Sequence, residues 1–197
     1  MERAILARHG ETTFNLRLAL NGDLAVSCPL TPKGEEQARS LGRQLARGRI
    51  DLCVTSEFER AQRTADLALA GRDVPREVLP ELNDPRYGSF EGGQLEEYRA
   101  WASSAPSHAE PPGAGESRLA IVERYARGFR FVLERPEEVV LVVCHSLPVA
   151  YVLGALDGAA PAPRVPLVEC AHPYRLDGAE LERTVELLEG WVREPTW

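Results

Sequence analysis

Short continuous apolar runs alternate with helical stripes along this chain. Ala4-Ile5-Leu6-Ala7, Leu52-Cys53-Val54-Thr55 and Val139-Val140-Leu141-Val142-Val143-Cys144 lack the polar alternation of a half-exposed strand. They predict strands covered on both faces. Between them, apolar residues return every three or four positions. Ala38, Leu41 and Leu45 mark one helix face, entered at Thr31-Pro32 and running to about Gly48; threonine suits an N-cap and proline the first helical position. Ala61, Ala65 and Leu69 mark a second helix that stops at Gly71. Leu95, Tyr98 and Trp101 or Ala102 predict a third over 94–104. Leu119, Val122, Ala126, Phe129 and Leu133 predict a long fourth ending near Arg135, and Leu147 to Leu156 a fifth. Val78-Leu79, Val168 to Leu176 and Thr184 to Leu188 read as further strands. The stretches 106–115 and 157–166, rich in proline, glycine and alanine, read as loops.

Strands alternating with helices predict an α/β protein, a three-layer α/β/α sandwich with a mostly parallel central sheet. The length of 197 residues fits one domain over 1–197, with a small cap-like insertion at about 93–118. In such sheets ligands bind outside the carboxyl ends of the strands. Here that edge collects reactive side chains. Arg8-His9-Gly10-Glu11 follows the first run, Ser56 and then Arg60 follow the second, and His145 follows the third.

Bulk properties narrow the partner. No apolar stretch approaches the ~20 residues of a membrane span. The first strand begins at residue 3, which leaves no room for a signal peptide and sets an expectation of a cytoplasmic protein. Net charge is −7 with no basic stripe, so nucleic acid is not the expected partner. Basic groups gathered in one cleft of an acidic protein instead focus a positive field on a small anion. Cys28, Cys53, Cys144 and Cys170 show no metal spacing. Cys144 and His145 are strand neighbours that point to opposite faces, so Cys144 is expected to be a small hydrophobe rather than a nucleophile. His9, His108, His145 and His172 also lack ligand spacing; no metal and no cofactor are expected.

A phosphate monoester fits this set. Arg8 and Arg60 can clamp it through paired charge-assisted hydrogen bonds. His145, if protonated, adds a donor, and the Asn15 amide can add another. His9 is the candidate nucleophile, which requires a neutral imidazole. Two nearby arginines favour that form, and a backbone carbonyl in the turn can hold the other ring proton. The leaving oxygen needs a proton, and Glu81, Asp84 and Glu91 lie together in Glu81-Leu82-Asn83-Asp84-Pro85-Arg86-Tyr87-Gly88-Ser89-Phe90-Glu91.

These segments resemble the histidine phosphatase superfamily, also called the phosphoglycerate mutase-like family. Arg8-His9-Gly10-Glu11-Thr12 with Asn15 is similar to its signature. Ser56-Glu57-Phe58-Glu59-Arg60-Ala61 is similar to the motif with the second phosphate-binding arginine. Leu82-Asn83-Asp84 with Gly88-Ser89-Phe90-Glu91-Gly92 resembles the proton-donor motif. Pro112-Gly113 with Gly115-Glu116-Ser117 resembles the motif that opens the next helix, and Val143-Cys144-His145-Ser146 the one with the second histidine. The resemblance implies His9 and Asp84 as catalytic residues and Arg8, Asn15, Arg60 and His145 as phosphate ligands. There are departures. Asp84 stands where the family commonly has glutamate, with Glu81 as a rival donor. Ser146 stands where it usually has glycine, and Pro148-Val149-Ala150 replaces a segment that often carries an arginine.

The expected activity is therefore a metal-independent phosphomonoesterase. It would hydrolyse a small phosphorylated metabolite through a phosphohistidine. The alternatives are phosphoryl transfer of the phosphoglycerate mutase type and a catalytically weak phosphate-binding module. The mutase must shield its intermediate under a lid, and 93–118 is shorter than the mutase insertion. The expected partner is a small-molecule phosphate ester, with homodimerisation possible.

Overall fold

A computed structural model describes residues 1–197. Five strands form one sheet: β1 (Arg3–Arg8), β2 (Leu52–Thr55), β3 (Arg76–Val78), β4 (Val139–Cys144) and β5 (Tyr174–Asp177), in the order β3-β2-β4-β1-β5. All neighbours pair in parallel except β5, which runs antiparallel to β1 at one edge. Seven helices accompany the sheet: α1 (Thr13–Leu16), α2 (Pro32–Leu45), α3 (Glu59–Ala68), α4 (Leu95–Ser104), α5 (Arg118–Leu133), α6 (Ser146–Leu156) and α7 (Gly178–Arg193). None is long and apolar enough to cross a membrane.

The continuous apolar runs are explained by two cores, one on each face of the sheet. Ala4, Leu6, Val140, Val142 and Cys144 face one way. They pack against Tyr125 and Phe129 of α5, Val149 of α6, and Leu181 and Leu188 of α7. Ile5, Ala7, Cys53, Leu141 and Val143 face the other way and meet Leu41 and Leu45 of α2 and Ala61, Ala65 and Ala68 of α3. Successive residues of a strand point to opposite faces, so a strand between two helical layers has no position left for a polar side chain. The three-layer sandwich is thus as expected. A small third cluster, with Leu20, Tyr87 and Tyr98 at its centre, holds α4 against the loops at the carboxyl edge of the sheet.

Helix starts follow local chemistry. Thr31 caps α2 by accepting from Gly34 N–H (3.0 Å), with Pro32 at the first position. Ser117 caps α5 by accepting from Ala120 N–H (3.2 Å).

Two strand expectations need correction. Thr184 to Leu188 lies inside α7, whose buried residues Leu181, Thr184, Val185, Leu188 and Trp191 keep helical spacing. Its entry is a capping box of Asp177 and Glu180. The β-branched pair Thr184-Val185 favours a strand locally, but packing of the stripe outweighs that propensity. Of Val168 to Leu176, only the part from Tyr174 is strand. Before it the chain makes a single bridge from Cys170 to Arg8 and passes through Ala171 at φ 50°.

Leu6 lies in the middle of β1, fully buried in the larger core. Leu6→Ala is expected to lower the unfolding free energy by about 2–5 kcal/mol. Urea denaturation of the variant against the parent checks this.

Candidate active site

Parallel pairing carries the reactive residues to one place. Arg8 lies opposite Cys144, and Thr55 opposite Val143. The next residues after the first pair, His9 and His145, therefore stand side by side at the carboxyl edge, with Ser56 one position earlier on the far side of β4. His9 N–H donates to Cys144 C=O (2.9 Å). The two imidazole rings meet edge to face with centroids 5.3 Å apart. The turn after His9 presses on α2, where a Cβ at Gly10 would run into the Gly34 carbonyl. Gly10 N–H donates to Thr64 Oγ1 (3.0 Å), whose hydroxyl donates to Arg60 C=O (2.7 Å). Glu11 accepts from Thr31 Oγ1 (3.0 Å) and Lys33 Nζ (2.8 Å), so it fixes the loop.

His9 is 3% exposed. Its Nδ1 lies 2.7 Å from Gly10 C=O. A carbonyl can only accept, so the ring proton sits on Nδ1 and Nε2 presents a lone pair. Burial pushes the His9 pKa well below the usual imidazole value, and the charges of Arg60, His145 and Arg8 push it further; the Gly10 carbonyl opposes them. The His9 imidazole is therefore neutral at pH 7, through burial first and the flanking charges second.

Arg60, also 3% exposed, is held from four sides. Nε donates to His9 Nε2 (3.2 Å) and Nη1 to Asn21 Oδ1 (2.6 Å). Nη2 donates to Asn21 C=O (2.9 Å) and Asp84 Oδ2 (2.8 Å). Its guanidinium lies over the Phe58 ring at 4.1 Å. Arg8 Nη1 donates to Val168 C=O (2.8 Å), while its buried Nε has no protein acceptor. Val168 N–H in turn donates to Ser146 Oγ (3.0 Å). The hydroxyl at 146 therefore anchors the segment that holds Arg8, a contact glycine cannot make.

His145 is fully buried, with Nε2 2.8 Å from Ser56 Oγ. Its Nδ1 is 3.1 Å from Asp84 Oδ2, close enough for an ion pair but not aligned as a hydrogen bond. Burial pushes the His145 pKa down to about 4, with Asp84 opposing and Arg60 and Arg8 adding. With these neighbours it is neutral at pH 7. The protonated donor expected from sequence therefore needs a further negative charge beside it. Burial alone would raise the Asp84 carboxyl, but His145, Arg60 and His9 hold it well below the usual carboxylate range.

Among the three candidate carboxylates only Asp84 meets the histidines. Glu91 accepts from Gly22 N–H and Tyr87 N–H (both 2.8 Å) and ties two loops together. Glu81 borders neither of the two main cavities. Asn15 closes a capping box on α1, its Oδ1 accepting from Thr12 N–H (3.0 Å). Only its amide N–H groups remain to serve the cavity it lines. That cavity, about 290 Å³, is bordered by Arg8, His9, Asn15, Arg60 and Asp84 on its polar side and by Phe14 and Leu18 among its apolar residues. His108 and His172 lie outside it. Burial pushes the Cys144 thiol up to about 12, consistent with a small hydrophobe.

Asn21 was not singled out from sequence. The only signal is Asn21-Gly22, which reads as a turn, and its grip on Arg60 exists only in the fold. Ligand atoms of His9, Asp84 and His145 all lie within 4.8 Å of one another, a spacing a metal ion could use. However, Arg60 already donates to two of these residues, His9 and Asp84. A guanidinium at the centre of the group suits an anion rather than a cation.

At the carboxyl edge of the α/β sandwich, His9 and His145 stand together with Arg60 and Asp84, and Arg8 borders the same cavity. Residues 4–185 match the sequence model of the histidine phosphatase superfamily (branch 1), and the chain belongs to that family. It is 38% identical over 133 residues to an adenosylcobalamin/alpha-ribazole phosphatase from Salmonella typhimurium, a match spanning 64% of each chain. The enzyme of the same name from Escherichia coli is 34% identical over 165 residues, 79% of each chain. The chain thus spans just under two thirds of the first relative and about four fifths of the second. Among solved structures, phosphoglycerate mutase from Thermus thermophilus superposes with a TM-score of 0.67 at 32% identity, covering 88% of this chain and 92% of that one.

The lowered histidine pKa values carry a stability consequence. Below the unfolded value near 6.5 the unfolded chain binds the protons that buried imidazoles refuse. Their contribution is present above about pH 6.5 and lost as pH falls towards the folded value. For His145 the loss falls between pH 7 and pH 5, since the folded imidazole stays neutral across that window while the unfolded one takes up its proton. Asp84, also lowered, acts only below about pH 4, outside this window. Melting temperatures at pH 7 and pH 5 are expected to differ by several degrees, with a smaller difference in His145→Gln.

Proposed function

We propose that this protein is a metal-independent phosphomonoesterase acting through a phosphohistidine on His9. The observation that carries the reading is the His9 ring: its Nδ1 proton points to the Gly10 carbonyl, and its unprotonated Nε2 accepts from the buried Arg60 guanidinium that also holds Asp84.

A phosphate dianion entering between Arg8 and Arg60 competes with Asp84 for Arg60 Nη2. Asp84 then loses a cationic partner and gains an anionic neighbour, and both changes raise its pKa. The same charge favours protonated His145, which can then donate to a non-bridging oxygen. Asn15 Nδ2 supplies a further donor. His9 Nε2 attacks phosphorus in line, the bond from phosphorus to the ester oxygen breaks, and protonated Asp84 gives its proton to that oxygen. In the second half Asp84 carboxylate takes a proton from water. The hydroxide oxygen attacks phosphorus, the P–N bond breaks, and His9 is released neutral with inorganic phosphate. One carboxyl thus serves as acid and then base.

The partner in this reading is a small-molecule phosphate ester. The relatives named alpha-ribazole phosphatases make alpha-ribazole phosphate the first natural ester to assay.

Steady-state hydrolysis of an aryl phosphate with chelator present tests the reading. Activity is expected to survive chelation and to fall at least ~10³-fold in His9→Ala, as loss of a nucleophile requires. Asp84→Asn is expected to lower kcat by about 10²–10⁴-fold, the usual range for a lost general acid–base. Its effect should be smaller for esters with good leaving groups. Full activity in His9→Ala would overturn the proposal.

A further inference from the structure

The cavity holds more positive charge than one phosphate group requires. Four arginines border it, Arg8, Arg60, Arg99 and Arg118, against two carboxylates, Glu11 and Asp84. Arg60 pairs with Asp84, and Glu11 is engaged by Lys33. Arg8 and Arg60 belong to the nucleophile's cluster. Arg99 and Arg118 do not, and nothing in the phosphohistidine chemistry uses them.

Arg118, the first residue of α5, is 6% exposed and forms no ion pair. Its Nη1 donates to Tyr151 Oη (3.1 Å) and its Nη2 to Pro163 C=O (3.3 Å). Its Nε, closed off from solvent, has no acceptor. The side chain therefore makes two hydrogen bonds against the five N–H donors a guanidinium carries. Its other neighbours are phenols. The guanidinium lies 5.0 Å from the Tyr98 ring centroid, and burial pushes the pKa of Tyr87 and Tyr98 up, so both phenols stay neutral. The acid two residues away, Glu116, is taken up by Arg124 (2.9 and 3.0 Å) and by Arg86 N–H (2.9 Å). A buried charge surrounded by neutral dipoles is strongly unfavourable unless a counter-charge completes it.

Arg99 repeats the pattern more weakly. Its Nη2 donates to Val165 C=O (2.7 Å), two residues from the carbonyl that Arg118 uses. Its nearest carboxylate, Glu96, is 3.9 Å away and is shared with Arg164. Both guanidiniums are thus tied to the same short stretch, 163–165, on the wall of the cavity that contains His9.

We propose that Arg118, assisted by Arg99, binds a second anionic group, a carboxylate or a phosphate, on the leaving-group side of the substrate. The substrate class is then phosphomonoesters whose leaving group carries its own negative charge. This inference takes its first anion from the phosphatase reading and deepens it by naming what lies beyond the scissile bond. Anchoring the remote group would help hold the ester in line with His9.

Equilibrium binding separates the two claims, because it needs no turnover. The probes are a chain-length series of alkylphosphonates whose far end is methyl, carboxylate or phosphonate, titrated calorimetrically into the full chain. The best anion-ended member is expected to bind about tenfold or more tightly than the methyl-ended member of equal length, as one new charge-assisted hydrogen bond implies. The better of carboxylate and phosphonate identifies the group. Arg118→Gln is expected to bring anion-ended affinity down to the methyl-ended level, and Arg118→Lys to restore part of the difference. If Arg118→Gln fails to fold, Arg99→Gln and the parent series decide. Equal affinity for all three ends in the parent overturns the inference. An intact end-group preference without any hydrolysis would sink the phosphatase reading and leave the second site standing. Hydrolysis of a neutral aryl phosphate with no end-group preference would do the reverse.

Discussion

The parallel pairing of β1 with β4 is the constraint on which the rest of this structure depends. It sets Arg8 opposite Cys144 and so brings His9 beside His145 at one end of the sheet. A slip of one residue would turn Ala4 and Leu6 out of one core and Ile5 and Ala7 out of the other. Register is therefore specified by burial on both faces, far more strongly than any contact between the histidines could specify it. The reactive residues occupy the first positions beyond that buried frame, where strands give way to turns and polar side chains can survive.

Electrostatics then decides what those residues are. Two imidazoles and the Arg60 guanidinium crowd around the Asp84 carboxylate, and all but Asp84 are shielded from solvent. The imidazoles respond by staying neutral, and Asp84 by staying ionised against Arg60. Neutral His9 is what nucleophilic attack requires. Ionised Asp84 offsets the cost of burying Arg60, at the position a phosphate oxygen would claim. In the proposed reaction, an anion entering this arrangement would shift protons onto Asp84 and His145. Ser146 and Asn21 act behind this set: one anchors the segment that holds Arg8, and the other fixes Arg60 with both its side chain and its carbonyl.

Much of this was legible in the chain because the relevant signals are local. The runs at 4–7, 52–55 and 139–144 appear as β1, β2 and β4, and Thr31-Pro32 opens α2 as its capping chemistry requires. Local signals also misled. Thr184-Val185 carries strand propensity inside a helix, and Val168 to Cys170 is apolar in part yet mostly irregular. Both were settled by neighbours far away in sequence, the α5–α7 packing in one case and the tethers to Arg8 and Ser146 in the other.

The sequence by itself determined the layers, the strand ends and the residue types placed there: two histidines, two arginines and a nearby acid. These depend on periodicity and chain geometry, which a linear pattern records. Only the tertiary structure decided which acid reaches the histidines, which ring nitrogen of His9 is unprotonated, that His145 is neutral, and that Arg118 is buried without a counter-charge. Those properties are set by distances and desolvation among side chains drawn from separate elements. They do not exist until burial replaces water with fixed neighbours, so no local pattern can encode them.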